Sequence, residues 1–194
     1  MNTKILRLAA VLAAVISLCS CTFTMTEPEV IVNDFFKGLK TKNEDTLILY
    51  TENEDINMLL HSKGNQKDLD KIYDSLFKNF SYKILSVKKD KEEANATIKA
   101  EVSNADFSKV LKQYQKKAYQ YMEENLYSSN LDQKSLNKKC LSIFADQVKK
   151  ASDSKKVKTS QVEIHLQKNE NYSWDMKLTE EMMETFIGGL IIPL

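Results

Sequence analysis

The stretch ANATIKAEV, residues 94–102, decides the fold, because small or apolar residues alternate in it strictly with polar ones. A period of two is typical of a β-strand with one face in the core and one face in water. The preceding residues Tyr82, Ile84 and Val87 form another β-like run, and residues 90–93 are a polar turn between the two. The sequence therefore predicts a β-hairpin with one buried face.

A second alternating stretch lies toward the C terminus. Apolar and polar side chains alternate through residues 162–167, and residues 169–171 are a polar turn. Residues 172–178 again carry apolar side chains at every second position. This pattern predicts a second hairpin and a sheet of about four strands. In it Trp174 is expected to face the core rather than a ligand.

Elsewhere the apolar residues recur at helical spacing. Residues 26–29, Thr-Glu-Pro-Glu, match a capping box and predict a helix that ends near Lys42. Asn43 is placed to cap a short second helix, and further helices are predicted over residues 56–61 and 68–80.

The segment between the two hairpins has a period of 3.6 over residues 104–126 and again over residues 136–148, which predicts a helical hairpin. Thr179 is placed to cap a last helix, which Gly188 and Gly189 end. This order of elements predicts an α+β fold with an antiparallel sheet.

The N-terminal segment has the features of a targeting signal. Residues 1–7 carry two positive charges, and residues 8–18 are apolar. Eleven apolar residues are too few to span a bilayer, which needs roughly 20, but they suit an export signal. Residues 18–21, Leu-Cys-Ser-Cys, resemble the lipobox of bacterial lipoproteins, from which Cys at the second position departs mildly.

The lipobox resemblance implies a chain in three parts. Residues 1–20 are a cleaved signal peptide, Cys21 carries a diacylglyceryl group, residues 21–26 are a lipidated tether and residues 27–194 are one α+β domain. Cys21 then anchors the protein in the cell membrane, on its extracellular face. The alternative is an ordinary secretory signal with incidental cysteines.

Composition excludes several function classes. The chain has four Gly and two Pro, too few for a glycine-rich phosphate loop or a flexible linker. From Cys21 onward it has 26 Lys and no Arg against 27 acidic residues, a formal charge of −1. A nearly neutral chain without Arg is a poor partner for nucleic acid. We expect no nucleic-acid partner and no cofactor.

Few residues suggest a catalytic or metal-binding site. His61 and His165 are the only histidines, which argues against a metal site. Glu163 and His165 share one strand face and could form a general base with its orienting partner, although a solvated outer face is the simpler interpretation. Cys140 has no intramolecular disulfide partner in the mature chain and falls at helical spacing, which predicts a small buried residue.

Two further features suggest a surface contact. Tyr119 and Tyr127 lie off the apolar stripe of the helical hairpin, and with Glu163 and His165 they are the candidate ligand contacts. The lysine-rich segment 149–158 could touch anionic lipid or a wall polymer near the anchor, or be a solvated loop. No set of catalytic residues is predicted.

The predicted closing hairpin, residues 163–166 (EIHL) and 172–176 (YSWDM), is similar to bacterial lipoproteins of the nuclear-transport-factor-two-like superfamily. Residues 102–111 (VSNADFSKVL) and 186–190 (FIGGL) resemble recurrent segments in small lipoproteins of low-GC Gram-positive bacteria. The resemblance implies a cone-shaped, cystatin-like α+β domain whose curved sheet wraps a pocket. That superfamily includes isomerases, dehydratases and non-enzymatic binding modules.

Two function hypotheses follow. The first is a lipid-anchored extracellular module that binds a small ligand or an envelope component without catalysis. The second is a pocket enzyme, isomerase or hydrolase-like, of the same superfamily. Association of copies through the apolar terminus, residues 186–194, is a third hypothesis, and the sequence leaves the oligomeric state open.

Overall fold

The computed structural model describes residues 26–50, 66–92, 94–125, 132–171 and 173–191. In chain order its elements are α1 (Pro28–Thr41), α2 (Glu44–Tyr50), α3 (Gln66–Phe77), β1 (Ser81–Lys89), β2 (Asn95–Ala105), α4 (Val110–Asn125), α5 (Gln133–Ser152), β3 (Val157–Lys168), β4 (Trp174–Lys177) and α6 (Glu180–Phe186). This confirms an α+β architecture. The predicted helix over residues 56–61 lies outside the described residues.

The four strands form one antiparallel sheet in the order β1-β2-β3-β4. Its two central strands pair over their whole length, from Asn95 opposite Gln167 to Ala105 opposite Val157. As the alternation predicts, the apolar residues at positions 96–102 of β2 and 162–166 of β3 are buried and the polar ones between them face outward. Val157, at the start of β3, is 64% exposed. Because β2 and β3 run in opposite directions, the last residue of β2 and the first residue of β3 lie at the same end of the sheet. The helical hairpin α4–α5 connects them there.

Helix α1 begins differently from the prediction. Pro28 is in the first turn, but the N-cap is Glu27 and its side chain makes no capping hydrogen bond. Thr26 lies one residue before the cap, and its carbonyl oxygen accepts a hydrogen bond from Trp174 on the sheet. The helix ends as predicted, with Lys42 in the left-handed region at φ 52°.

The second and last helices are capped as predicted. The Asn43 side chain accepts a hydrogen bond from the Thr46 N–H at the start of α2, over 3.1 Å. Thr179 accepts one from Met182 at the start of α6. Gly188 and Gly189 follow α6 with φ 61° and 77°, a conformation that glycine adopts without strain.

The predicted start of the helical hairpin is wrong. Asn104 and Ala105 are the last residues of β2, and α4 starts only at Val110. The buried Asn104 side chain bonds to two carbonyls of neighbouring helices, so tertiary partners rather than local periodicity set the boundary. Helix α3 likewise ends at Phe77, before the predicted limit at Phe80.

Aromatic rings fill the space between the buried face of the sheet and the helices. Phe35, Phe36, Phe80 and Phe186 are at most 1% exposed, and their ring centroids lie 5.2 to 6.4 Å apart in contacting pairs. Trp174 is also in the core, as predicted, at 3% exposure. The described core is therefore held by packed rings rather than by cross-links.

The apolar C terminus contributes to the same core. Phe186, Ile187 and Leu190 are buried within the domain, whereas Ile191 is 57% exposed. Most of the apolar side chains described in this segment are therefore unavailable to a second copy. Residues 192–194 lie outside the described residues.

Candidate functional site

The outer face of the sheet carries two of the predicted contact residues. Glu163 lies opposite Lys99 in the strand register, and their charged groups are 3.0 Å apart. His165 lies opposite Thr97, with 3.2 Å between His165 Nδ1 and Thr97 Oγ1. Both Glu163 and His165 are exposed. The structure thus places the pair on a polar outer face, which suits the solvated interpretation.

These contacts suit a structural role for Glu163 and His165 better than a role in proton transfer. The hydrogen bond from Lys99 is the main reason that the pKa of Glu163 lies below its ordinary value, and the charges of Lys99 and His165 act in the same direction. A lowered pKa leaves a carboxylate a weak base near neutral pH. Neither side chain points toward the buried face, where Ile164 lies between them in the strand.

A shallow hollow of about 260 Å³ lies beside His165. Its polar lining is Asn95, Thr97, His165, Gln167 and Lys177. Three neighbouring strands supply these groups, and only Lys177 has a fixed charge. The hollow can offer hydrogen bonds to a small polar ligand, so ligand contact at His165 remains a prediction.

The aromatic candidates are not brought together in the described part of the chain. Tyr119 lies on α4 and is 64% exposed, whereas Tyr127 falls outside the described residues. Tyr114, one turn earlier in α4, packs edge to face against Phe144 of α5 at 5.5 Å. Of the two predicted aromatic contacts, the described residues therefore include only Tyr119.

Cys140 is not the buried residue that its spacing predicts. It lies on α5 and is only partly buried, with a free thiol. The exposure arises because α5 packs through its later half, where Ile143, Ala145 and Val148 are buried. The Cys140 thiol contacts the Tyr114 hydroxyl, whose pKa is raised mainly by burial and also by this contact.

The chain enters the domain at one defined end of the sheet. The Trp174 indole Nε1 donates a hydrogen bond to the Thr26 carbonyl over 2.9 Å, and Lys89 pairs with Glu27 at 2.5 Å. Trp174 begins β4, and Lys89 ends β1. We call this end of the sheet, which holds the described residues 88–92, 168–171 and 173–177, the tether end.

The lysine-rich segment lies at the opposite end. Asp106 follows β2, and its N–H donates to the carbonyl of Lys156, just before β3. The eleven residues of β2 separate this end from the tether end, a distance of roughly 33 Å along the strand. Contact of these lysines with anionic lipid or a wall polymer stays a prediction, and Thr26, where the described chain begins, lies at the other end of the sheet.

At this opposite end the structure forms a cavity of about 150 Å³, which we call the far-end cavity. Its polar lining consists of Asp106, Lys109, Gln113, Lys150, Ser154 and Lys156. The sequence analysis considered Lys150 and Lys156 but missed Asp106 and Lys109. The signal was present, because segments 106–112 and 149–158 flank the same helical hairpin and both are rich in lysine.

Two negative findings concern only the described residues. Within these ranges no group of three His, Cys, Asp or Glu side chains could hold a metal ion. The helices of that same part of the chain include none with the length and apolar character needed to cross a membrane. Cys21 itself lies outside the described residues.

Comparison with known proteins places the chain in a family. No curated protein matches it significantly. A crystal structure of ycdA from Bacillus subtilis, described as a candidate lipoprotein, matches with a TM-score of 0.42 and 22% identity. That match covers 87% of this chain but 48% of the other, so this chain spans about half its length. A family described as a domain of unknown function, DUF5105, matches residues 23–191, and the chain therefore belongs to that family.

Proposed function

We propose that the protein is a lipid-anchored binding module on the extracellular face of the cell membrane and that it performs no catalysis. In this proposal residues 1–20 are removed, Cys21 carries the diacylglyceryl group and the domain that follows presents a binding surface. The observation that carries the proposal is the lipobox-like sequence together with the hydrogen bond between Trp174 and Thr26.

The short tether gives the domain an orientation. Four residues lie between Cys21 and Thr26, and the five Cα–Cα steps can reach at most roughly 18 Å. Because Trp174 holds Thr26 against the sheet, the tether end stays close to the bilayer. The far-end cavity then points away from the membrane, toward other envelope components.

Two observations support the absence of catalysis. Glu163 is engaged by Lys99, and its low pKa makes it a poor base. Beneath the sheet, the described side chains of α1 and α6 are closely packed rings rather than a set of ionisable groups. We also propose that the fold is related to the nuclear-transport-factor-two-like superfamily, because helices cover one face of a single antiparallel sheet.

Metabolic labelling with a fatty-acid analogue tests the anchor. The full chain is expressed in a bacterium that processes lipoproteins, beside the variants Cys21→Ala and Cys19→Ala. We expect label on the wild type and on Cys19→Ala, and none on Cys21→Ala, with the diacylglyceryl group on the peptide that begins at residue 21. Label retained by Cys21→Ala, or absent from the wild type, contradicts the proposal.

Exposure on the outside of the cell needs a separate measurement. Protease added to intact cells should degrade the wild-type domain, whereas a cytoplasmic marker protein should survive. Survival of both in intact cells, with degradation of both after lysis, would contradict an extracellular location.

A further inference from the structure

We propose that the far-end cavity binds a phosphate-bearing polyanion that lies beyond the membrane surface. This inference rests on the proposed function, since the anchored orientation directs the cavity away from the bilayer. It names the class of ligand that the binding module takes.

The cavity lies between three parts of the fold. Lys109 lies just before α4, Lys150 lies in the last turn of α5, and Lys156 directly precedes β3. The hydrogen bond between Asp106 N–H and the Lys156 carbonyl fixes two of these segments to each other. Since a water molecule occupies roughly 30 Å³ in the liquid, a cavity of about 150 Å³ has room for one small anionic group.

The charge of the lining is positive. Among the described residues, Lys109, Lys150 and Lys156 form no ion pair within 4.0 Å. Asp106 is the one acid in the lining, and its Oδ1 accepts from the N–H and hydroxyl of Ser108, at 3.1 and 2.6 Å. Three ammonium groups against one carboxylate leave the lining a net charge of +2 to attract an anion. Lysine binds phosphate as a point charge, without the planar fork that arginine uses.

The two ends of the sheet differ in charge. Residues 106–112 and 149–158, at the far end, contain seven lysines and two acids. The described residues at the tether end, 88–92, 168–171 and 173–177, contain five lysines and four acids. The positive field is thus concentrated roughly 33 Å along the strands from the attachment point. An anionic bilayer attracts lysines only within about a Debye length, so with the sheet upright on its tether the host membrane is beyond the reach of these lysines.

A polymer fits this surface better than a single anion. The far-end lysines extend beyond the cavity to Lys112, Lys155 and Lys158, so successive charges along a chain can meet successive lysines. Lys158 also lies close enough to Asp106 to influence its carboxylate. Binding of this kind is strongly salt-dependent, because screening weakens each exposed contact.

The test uses the full chain purified in detergent and a fluorescent inorganic polyphosphate probe at about 0.15 M salt. The triple variant Lys109→Gln, Lys150→Gln, Lys156→Gln is compared with the control Lys37→Gln, Lys67→Gln, Lys91→Gln, which removes equal charge from exposed sites elsewhere. We expect the first variant to lose at least about tenfold in affinity and the control less than about twofold. Equal losses would mean that net charge alone binds the probe, which would overturn the proposal.

Binding of two further probes tests whether the anion is a phosphate and whether it comes from the bilayer. Polyglutamate should bind several-fold more weakly than polyphosphate of matched charge, and equal binding would overturn the assignment to phosphate. Phosphatidylglycerol vesicles should show no binding that depends on the three lysines. Lysine-dependent vesicle binding as tight as polyphosphate binding would make the bilayer the partner and overturn the proposal. Fatty-acid labelling of Cys21 is independent of all these results, so either proposal can fail without the other.

Discussion

The side-chain Nδ2 of Asn104 donates a hydrogen bond to the carbonyl oxygen of Phe186 over 2.7 Å. The same nitrogen donates to the carbonyl of Leu76 over 2.9 Å, and Asn104 is 1% exposed. The two carbonyls belong to the last turns of α6 and α3, where no further helical N–H is available to them. One amide thus joins the ends of two helices to the end of β2.

Replacement of Asn104 by Ala should therefore be costly. Two carbonyls would lose this buried donor, and we expect the free energy of unfolding to fall by about 1–3 kcal/mol. Urea unfolding followed by circular dichroism measures the loss. The control Asn137→Ala alters an exposed asparagine on α5 that pairs with Gln133, and it should change stability by less than about 0.5 kcal/mol. Similar losses in both variants would contradict the role of Asn104.

Substitutions at the two glycines after α6 should differ in severity. A Cβ at Gly188 would lie 2.0 Å from the backbone oxygen of Ala105, which cannot move independently of the sheet. At Gly189 it would lie 2.7 Å from Nζ of Lys158, the mobile end of a side chain. Both have positive φ, so Gly189→Ala should cost about 1–3 kcal/mol and Gly188→Ala clearly more. Thermal melts of the two variants give the order, and the reverse order would contradict it.

The carboxyl group of Asp153 should titrate at an unusually low pH. Hydrogen bonds from Lys149 and Lys78 lower its pKa from 3.8 to about 2. A lowered folded-state pKa means that the contribution to stability is present above the unfolded pKa and is lost as pH falls from about 4 toward 2. Carbon-13 NMR of the Asp153 carboxyl should show this low midpoint.

The double variant Lys78→Gln, Lys149→Gln should return the midpoint of Asp153 toward its ordinary value. Salt at about 1 M should raise the wild-type midpoint in the same direction, because the pairs are exposed. A wild-type midpoint near 3.8 that does not respond to either change would contradict the prediction.

The contribution of Tyr73 to the stability of the fold should decrease at alkaline pH. Burial raises its pKa above the ordinary 10.0, and its hydroxyl donates to the carbonyl of Leu39 over 2.9 Å. Because the folded pKa is the higher one, this contribution is complete below pH 10.0 and is lost as pH rises above it.

Tyr73→Phe removes that group and one hydrogen bond. We expect it to cost about 0.5–1.5 kcal/mol at pH 8 and progressively less at higher pH. Urea unfolding of the wild type and the variant across this range measures the difference. Tyr82 and Tyr114 cancel in the comparison because both proteins retain them. A difference that is constant with pH would count against the prediction.

The sequence alone determined most of the secondary structure. The alternation around Ile98 and Ile164 is specific because a shift by one residue would turn the whole apolar set toward water. The caps at Asn43 and Thr179 and the glycine stop at Gly188 were also predictable, since each depends on bonds or torsions within a few residues. Outside the described residues, the lipobox-like prediction at Cys21 is likewise local.

Only the tertiary structure decided the features that depend on distant partners. Asn104 belongs to β2 rather than to a helix because carbonyls 28 and 82 residues away bond to its side chain. The position of Thr26 beside Trp174 is equally non-local, since the two residues are 148 positions apart in the sequence. The lysines before α4 and after α5 share one cavity because antiparallel β2 and β3 bring those two junctions to the same end of the sheet. Periodicity reports which face of a strand is buried, but the pairing of strands decides which chain ends meet. In this sheet the pairing places the lysine-rich end opposite the end where Thr26 contacts Trp174.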